Sequence, residues 1–140
     1  MKKKELSIHM LICSRDYEMA LNSINSFLSK SKTQYKIFFH DNSDLKNSER
    51  KNIEKVIPNS KVITKKQSDL DLKFLKKKYP LCHKYRKKCL WAIKLVDLLF
   101  YGGSEFLYID SDIVFLKPFE NLFTIENKES CLVYMKDSMY

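Results

Sequence analysis

Two aspartates stand one residue apart in Asp110-Ser111-Asp112, directly after the apolar run Phe106 to Ile109. Neighbouring carboxylates repel, and taking either out of water is costly. A hard divalent cation removes both penalties. Carboxylate oxygens suit Mg²⁺ or Mn²⁺, which keep coordination positions open for a substrate phosphate. The same tripeptide also serves as a solvated turn, because Asp and Ser side chains bond nearby backbone groups. Two further polar groups follow apolar runs: Ser14-Arg15-Asp16 and Asp41-Asn42.

These groups need elements to hold them. Leu6, Ile8, Met10 and Ile12 alternate and predict a strand from Leu6 to Cys13. Tyr17, Ala20, Leu21, Ile24, Phe27 and Leu28 recur at helical spacing and predict an amphipathic helix. Tyr35 to Phe39 reads as a second strand, with His40 to Ser43 as a polar turn. Ile53, Val56 and Ile57 mark a short helix stopped by Pro58, and Lys61 to Thr64 reads as a third strand. Lys65 to Pro80 is polar and basic, with no clear periodicity. A helix is predicted from about Lys84 to Tyr101, with Cys89, Ala92, Ile93, Val96 and Leu99 or Phe100 on one face. Gly102-Gly103 stops it. Phe106 to Ile109 is a fourth strand, and Cys131 to Met135 a fifth. Alternating strand and helix predict a single α/β domain over residues 1–140 with a mostly parallel sheet. Ligands of such sheets bind at the carboxyl ends of strands. All three polar groups fall there.

Composition bounds the partners. A chain of 140 residues hides roughly 70% of its unfolded surface on folding, so a core is attainable without disulfides. The sequence is 44% hydrophobic and 13% aromatic, a globular rather than disordered composition. Its net charge of +9 fits a polyanionic partner. Lys73 to Lys88 holds seven lysines and Arg86 with no acid, which suggests peripheral contact with a membrane surface. Cys13, Cys82, Cys89 and Cys131 form no CxxC pair and read as free thiols of a reducing cytosol. A zinc site from Cys82, His83 and Cys89 is the alternative. The basic start Met1-Lys2-Lys3-Lys4 is followed by too short an apolar stretch for a signal peptide. No segment reaches the ~20 apolar residues that span a bilayer, so a cytoplasmic location is expected.

The segment Phe106-Leu107-Tyr108-Ile109-Asp110-Ser111-Asp112-Ile113-Val114-Phe115-Leu116-Lys117-Pro118-Phe119-Glu120-Asn121-Leu122-Phe123 resembles the DxD region of GT-A glycosyltransferases. It is most similar to the glycogenin-like and galactosyltransferase-like family. That family also has a Lys-Leu pair before its DxD, as Lys94-Leu95 stands here, with Lys94 sixteen residues before Asp110. The resemblance implies a Rossmann-like GT-A fold that binds a nucleotide-diphosphate sugar, with a uridine nucleotide favoured. The acceptor, whether glycan, lipid or protein, is left open, as are the catalytic residues. Asp110 and Asp112 would hold Mn²⁺ or Mg²⁺ on the donor's diphosphate, with Ser111 between them at the donor. Lys94 would approach the diphosphate or the sugar. Ile12, Ser14 and Arg15 match the strand end that lies along the base, and Tyr17 lies close to an aromatic that stacks on it. Asp41 would lie near the base or ribose. Arg86 would serve as a further phosphate ligand. Family domains continue past the DxD to a third metal ligand, commonly histidine, and to the acceptor site. His9, His40 and His83 all precede the DxD. The expectation is therefore an incomplete catalytic domain that transfers little sugar alone.

Two other readings compete. Asp110 to Val114 fits the first motif of haloacid-dehalogenase-type phosphatases, with Asp110 as nucleophile and Asp112 as general acid. The Lys73 to Lys88 run, interleaved with Phe74, Tyr79 and Tyr85, has the composition of a single-strand nucleic-acid binder. No helix-turn-helix or ribonucleoprotein motif accompanies it, so no specific nucleic acid is expected.

Overall fold

A computed structural model describes residues 6–103 and 105–120. Strand β1 spans Ser7–Ile12, β2 Lys36–Asp41, β3 Ser60–Ile63 and β4 Phe106–Tyr108. They form one four-stranded, all-parallel sheet in the order β3-β2-β1-β4. The predicted α/β class with a parallel sheet holds. The second strand runs on through His40 and Asp41, which the sequence reading placed in a turn. Both are buried, so burial outweighs their polarity. The fifth strand expected at Cys131 to Met135 lies outside the described residues.

Parallel strands covered on both faces need apolar residues on both. Ile8, Met10 and Ile12 of β1 and Ile37 and Phe39 of β2 face one way. They join Ala20, Ile24 and Phe27 of α1 (Tyr17–Lys30) and Ile53 of α2 (Asn47–Val56) in the main core. Beyond β4 the chain folds back along α1. The Phe115 N–H donates to Ser26 Oγ at 2.9 Å, and the Phe115 ring meets Phe27 edge-on at 5.1 Å.

The other face of the sheet carries His9, Phe38 and His40, and a second helical layer covers it. The basic stretch that showed no clear periodicity forms α3 (Lys65–Asp71) and α4 (Leu75–Lys78). The helix expected from Lys84 to Tyr101 is not continuous. It divides into α5 (Pro80–Lys88), an extended Cys89, a π-helical turn (Ile93–Asp97) and α6 (Leu98–Tyr101). An unbroken helix would hold Arg86 and Asp97 about 16 Å apart along its axis, at ~1.5 Å per residue. The break brings them into a bidentate ion pair, with Nε to Oδ1 at 2.6 Å and Nη2 to Oδ2 at 2.8 Å. The π turn also shifts the buried face, so that Leu98 is covered while Leu99 and Phe100 are exposed.

Gly102 ends this layer. A Cβ there would lie 2.2 Å from Cδ1 of Phe106, so the chain turns into β4 through a contact that admits no side chain. Gly103 has φ +69°, the left-handed conformation that glycine adopts without strain. Among the described residues no helix is long and apolar enough to cross a membrane.

Candidate functional site

The chain steps outward from β1 to β2 to β3, then returns to place β4 on the other side of β1. The order of the sheet therefore reverses between β1 and β4. Crevices that bind ligands in open α/β sheets form at such a point, outside the carboxyl ends of the strands. β1 leads there to Ser14-Arg15-Asp16 and β4 to Asp110-Ser111-Asp112.

The Ile109 N–H still donates to the His9 carbonyl at 3.0 Å, which makes Asp110 the first residue beyond the sheet. The Asp110 carbonyl accepts from Ser23 Oγ of α1 at 3.4 Å and from the Ile113 N–H at 3.4 Å. The acidic pair thus sits in a turn anchored to α1. Asp110 Oδ1 accepts from the Tyr108 hydroxyl at 2.7 Å and pairs with Lys94 Nζ from the π-helical turn. The Lys94 and Asp110 side chains are 24% and 48% exposed. The ammonium also lies 4.7 Å from the Trp91 ring centroid and 5.0 Å from that of Tyr108, within cation–π range. Desolvation pushes the Asp110 carboxyl up, but the hydrogen bonds from Lys94 and then Tyr108 outweigh it, and the pKa is lowered. The Tyr108 hydroxyl moves the other way, raised by burial and by its bond to Asp110. Asp112 is exposed and adds to the negative field on Tyr108.

This chemistry fits a divalent cation as a two-carboxylate donor set. Among the described residues the hydrogen bonds of the Asp110 carboxylate all fall on Oδ1 and Asp112 is exposed, and Mg²⁺ is commonly held by one or two carboxylates plus substrate phosphates. Among the described residues no group of three or more His, Cys, Asp or Glu side chains is placed to hold a metal. Cys82, His83 and Cys89 are therefore not gathered into the alternative zinc site. Cys13, Cys82 and Cys89 are free thiols.

The remaining predicted donor residues divide. Ile12 is only 1% exposed and belongs to the core, and its carbonyl accepts from the Asn42 N–H at 3.1 Å. The Ser14 N–H donates to Asp44 Oδ1 at 2.9 Å. Arg15 is exposed and bonds Asp16 Oδ1 at 3.1 Å, while the Cys13 thiol donates to Asp16 Oδ2 at 2.9 Å. Tyr17 packs its ring against the core, and its hydroxyl accepts from Asn52 Nδ2 at 2.6 Å. Ser111 is half-buried in the turn. Asp41 is buried and turned inward, where Oδ1 accepts from the Ser43 N–H at 2.8 Å and Oδ2 pairs with Arg50 at 2.7 Å. It forms an Asx turn that shapes the loop after β2. Beside it, Asn42 has a buried Oδ1 with no hydrogen-bond partner among the described residues. Arg86 is 5% exposed and holds Asp97, Asp69 and Ser68. Its guanidinium braces the helical layer, rather than standing open at the acidic pair.

Two residues of the cluster escaped the sequence reading. Tyr108 lies two residues before Asp110 on a strand, so the two share a side. Trp91 precedes Lys94 by three on a helical stretch, the spacing of neighbours. Both signals are present in the sequence but weak, because every strand and helix offers many such pairs. The chain matches no protein-family model and no curated protein.

Proposed function

We propose that this chain is the donor-binding part of a metal-dependent GT-A-type glycosyltransferase that takes a nucleotide-diphosphate sugar. One observation carries the reading. Lys94, of the Lys-Leu pair sixteen residues before the DxD, sets its ammonium against Asp110 at the sheet's switch point.

Asp110 and Asp112 would hold Mn²⁺ or Mg²⁺ against the donor's diphosphate. Bound there, the ion supplies neutralisation of the charge that develops on the departing nucleoside diphosphate. Lys94 adds a fixed positive charge beside the carboxylates, with Trp91 and Tyr108 holding its ammonium. Tyr108 keeps Asp110 in one rotamer and, with its raised pKa, stays protonated.

Calorimetry of uridine diphosphate with and without Mn²⁺ tests the reading. Removing a charged hydrogen bond costs ~1.5–3 kcal/mol, so Lys94→Ala should weaken binding about ten- to hundredfold. Asp112→Asn should abolish the metal dependence without lowering the melting temperature. Lys76→Ala, on the basic run, should change little. Metal-independent binding, or equal losses from Lys94→Ala and Lys76→Ala, would refute the proposal.

A further inference from the structure

The second helical layer contains a cleft remote from the acidic pair in sequence and built from different side chains. It encloses about 300 Å³ and is lined by Asp69, Leu72, Lys73, Lys76, His83, Arg86 and Lys87. Tyr79 joins α4 to α5, the two helices pack together, and Lys73 and Lys76 line the cleft with residues of α5. On α5, His83, Arg86 and Lys87 are spaced i, i+3, i+4 and share one face. Leu72, 2% exposed, supplies an apolar floor.

The charges in this cleft are unbalanced. Lys73, Lys76, Lys87 and Arg86 face the single carboxylate of Asp69, which already pairs with Lys65 and Arg86. Arg86 is also partly unspent. A guanidinium has five N–H donors. Its bonds to Asp97, Asp69 and Ser68 take one from Nε, one from Nη1 and both from Nη2. Among the described residues, one Nη1 hydrogen is left on a side chain that lines the cleft. A buried, held arginine with exposed lysines lining the same cleft is a donor set for a tetrahedral oxyanion.

We propose that this cleft binds a phosphate group, separately from the acidic pair and without a metal. The chemistry suits both a free phosphorylated compound and a phospholipid headgroup, since the exposed rings of Phe74 and Tyr79 stand on the same helical layer. The inference uses none of the residues assigned to the acidic pair and its lysine, and survives failure of the donor-sugar reading.

His83 reports on the cleft, because the chain's other two histidines, His9 and His40, are buried in the sheet. Its ring resonances would be followed by NMR with a chelator present, which separates this cleft from any metal-dependent site. One arm adds inorganic phosphate. The other adds phosphatidylcholine vesicles with and without phosphatidylglycerol. A saturable His83 shift with inorganic phosphate assigns the cleft to free phosphate, and a shift only with phosphatidylglycerol vesicles assigns it to a headgroup. The Lys73→Gln/Lys76→Gln/Lys87→Gln variant should weaken whichever binding is seen at least tenfold. Lys51→Gln/Lys55→Gln/Lys61→Gln, the same charge change elsewhere, should weaken it less than twofold. No His83 shift in either arm, or a loss from the cleft variant no larger than from the control variant, would overturn the proposal.

Discussion

Arg86 and Asp97 make the sharpest stability test, because both lie below the surface and each is the other's main partner. Arg86→Met removes the cation and keeps most of the stem's volume. Asp97, 1% exposed, would then be a buried carboxylate without its counter-charge. Breaking a buried pair from one side costs ~3–5 kcal/mol. Unfolding entropy is roughly 2.1 cal/mol/K per residue, so for this chain the loss corresponds to a fall in melting temperature of about 10–17 °C. The double variant Arg86→Met/Asp97→Leu replaces the pair with apolar side chains. It should recover most of the loss, because well-packed apolar residues commonly match a buried ion pair. Asp69 is the built-in comparison. Its side chain is 49% exposed and retains Lys65, so Asp69→Asn should cost under about 1 kcal/mol. Thermal melts followed by circular dichroism at neutral pH measure all four proteins. A melting temperature of Arg86→Met within a few degrees of wild type would refute the argument. It would mean that the break at Cys89 does not depend on this pair. Arg86 would then return as a candidate for the donor's diphosphate.

Two further outcomes follow from buried polar and close-packed groups. His9 Nδ1 and His40 Nε2 are 2.9 Å apart under the second helical layer, with His9 Nε2 at 3.1 Å from Ser7 Oγ. Burial lowers both pKa values, to about 3 for His9, where the neighbouring His40 charge adds to the effect, and to about 4 for His40. Unfolded histidines titrate near 6.5, so between about pH 6.5 and 4 the unfolded chain binds more protons and stability falls as pH falls. Each histidine should cost about 2 kcal/mol between pH 7 and pH 5. Urea unfolding at the two pH values measures the loss, and replacing both by Phe and Leu should remove it; an unchanged loss in that variant would be contrary. Gly102→Ala tests the approach to β4. Alanine normally stabilises a helical position, by roughly 0.5–1 kcal/mol. Here its Cβ meets Phe106, and overpacking should reverse the sign to a loss of about 1–3 kcal/mol. A stabilised Gly102→Ala, measured by the same urea titration, would show that Phe106 moves aside freely.

What the sequence by itself determined was local and periodic. Alternation in Leu6 to Ile12 and the helical spacing from Tyr17 to Leu28 specify elements whose burial follows from pattern alone, and they appeared within a residue or two of their expected ends. The acidic pair was legible for the same reason. Two carboxylates beside an apolar strand carry an energetic cost visible without coordinates, and the resemblance to the GT-A family's Lys-Leu pair pointed to Lys94, whose ammonium meets Asp110. Tertiary structure decided where unlike partners met. Asp41 and Arg86 carry charges that a sequence reader assigns to a ligand, but folding supplied Arg50 and Asp97 instead, nine and eleven residues away. The helix through Cys89 is broken, against its own periodicity, and the break brings the second of those pairs together. His40 and Asp41 entered the sheet rather than a turn, where His40 Nε2 meets His9 Nδ1 and the Asp41 carboxylate pairs with Arg50. A pairing between side chains on separate elements depends on the path of the chain between them, and that path is settled by the packing of the whole domain rather than by any local window of residues.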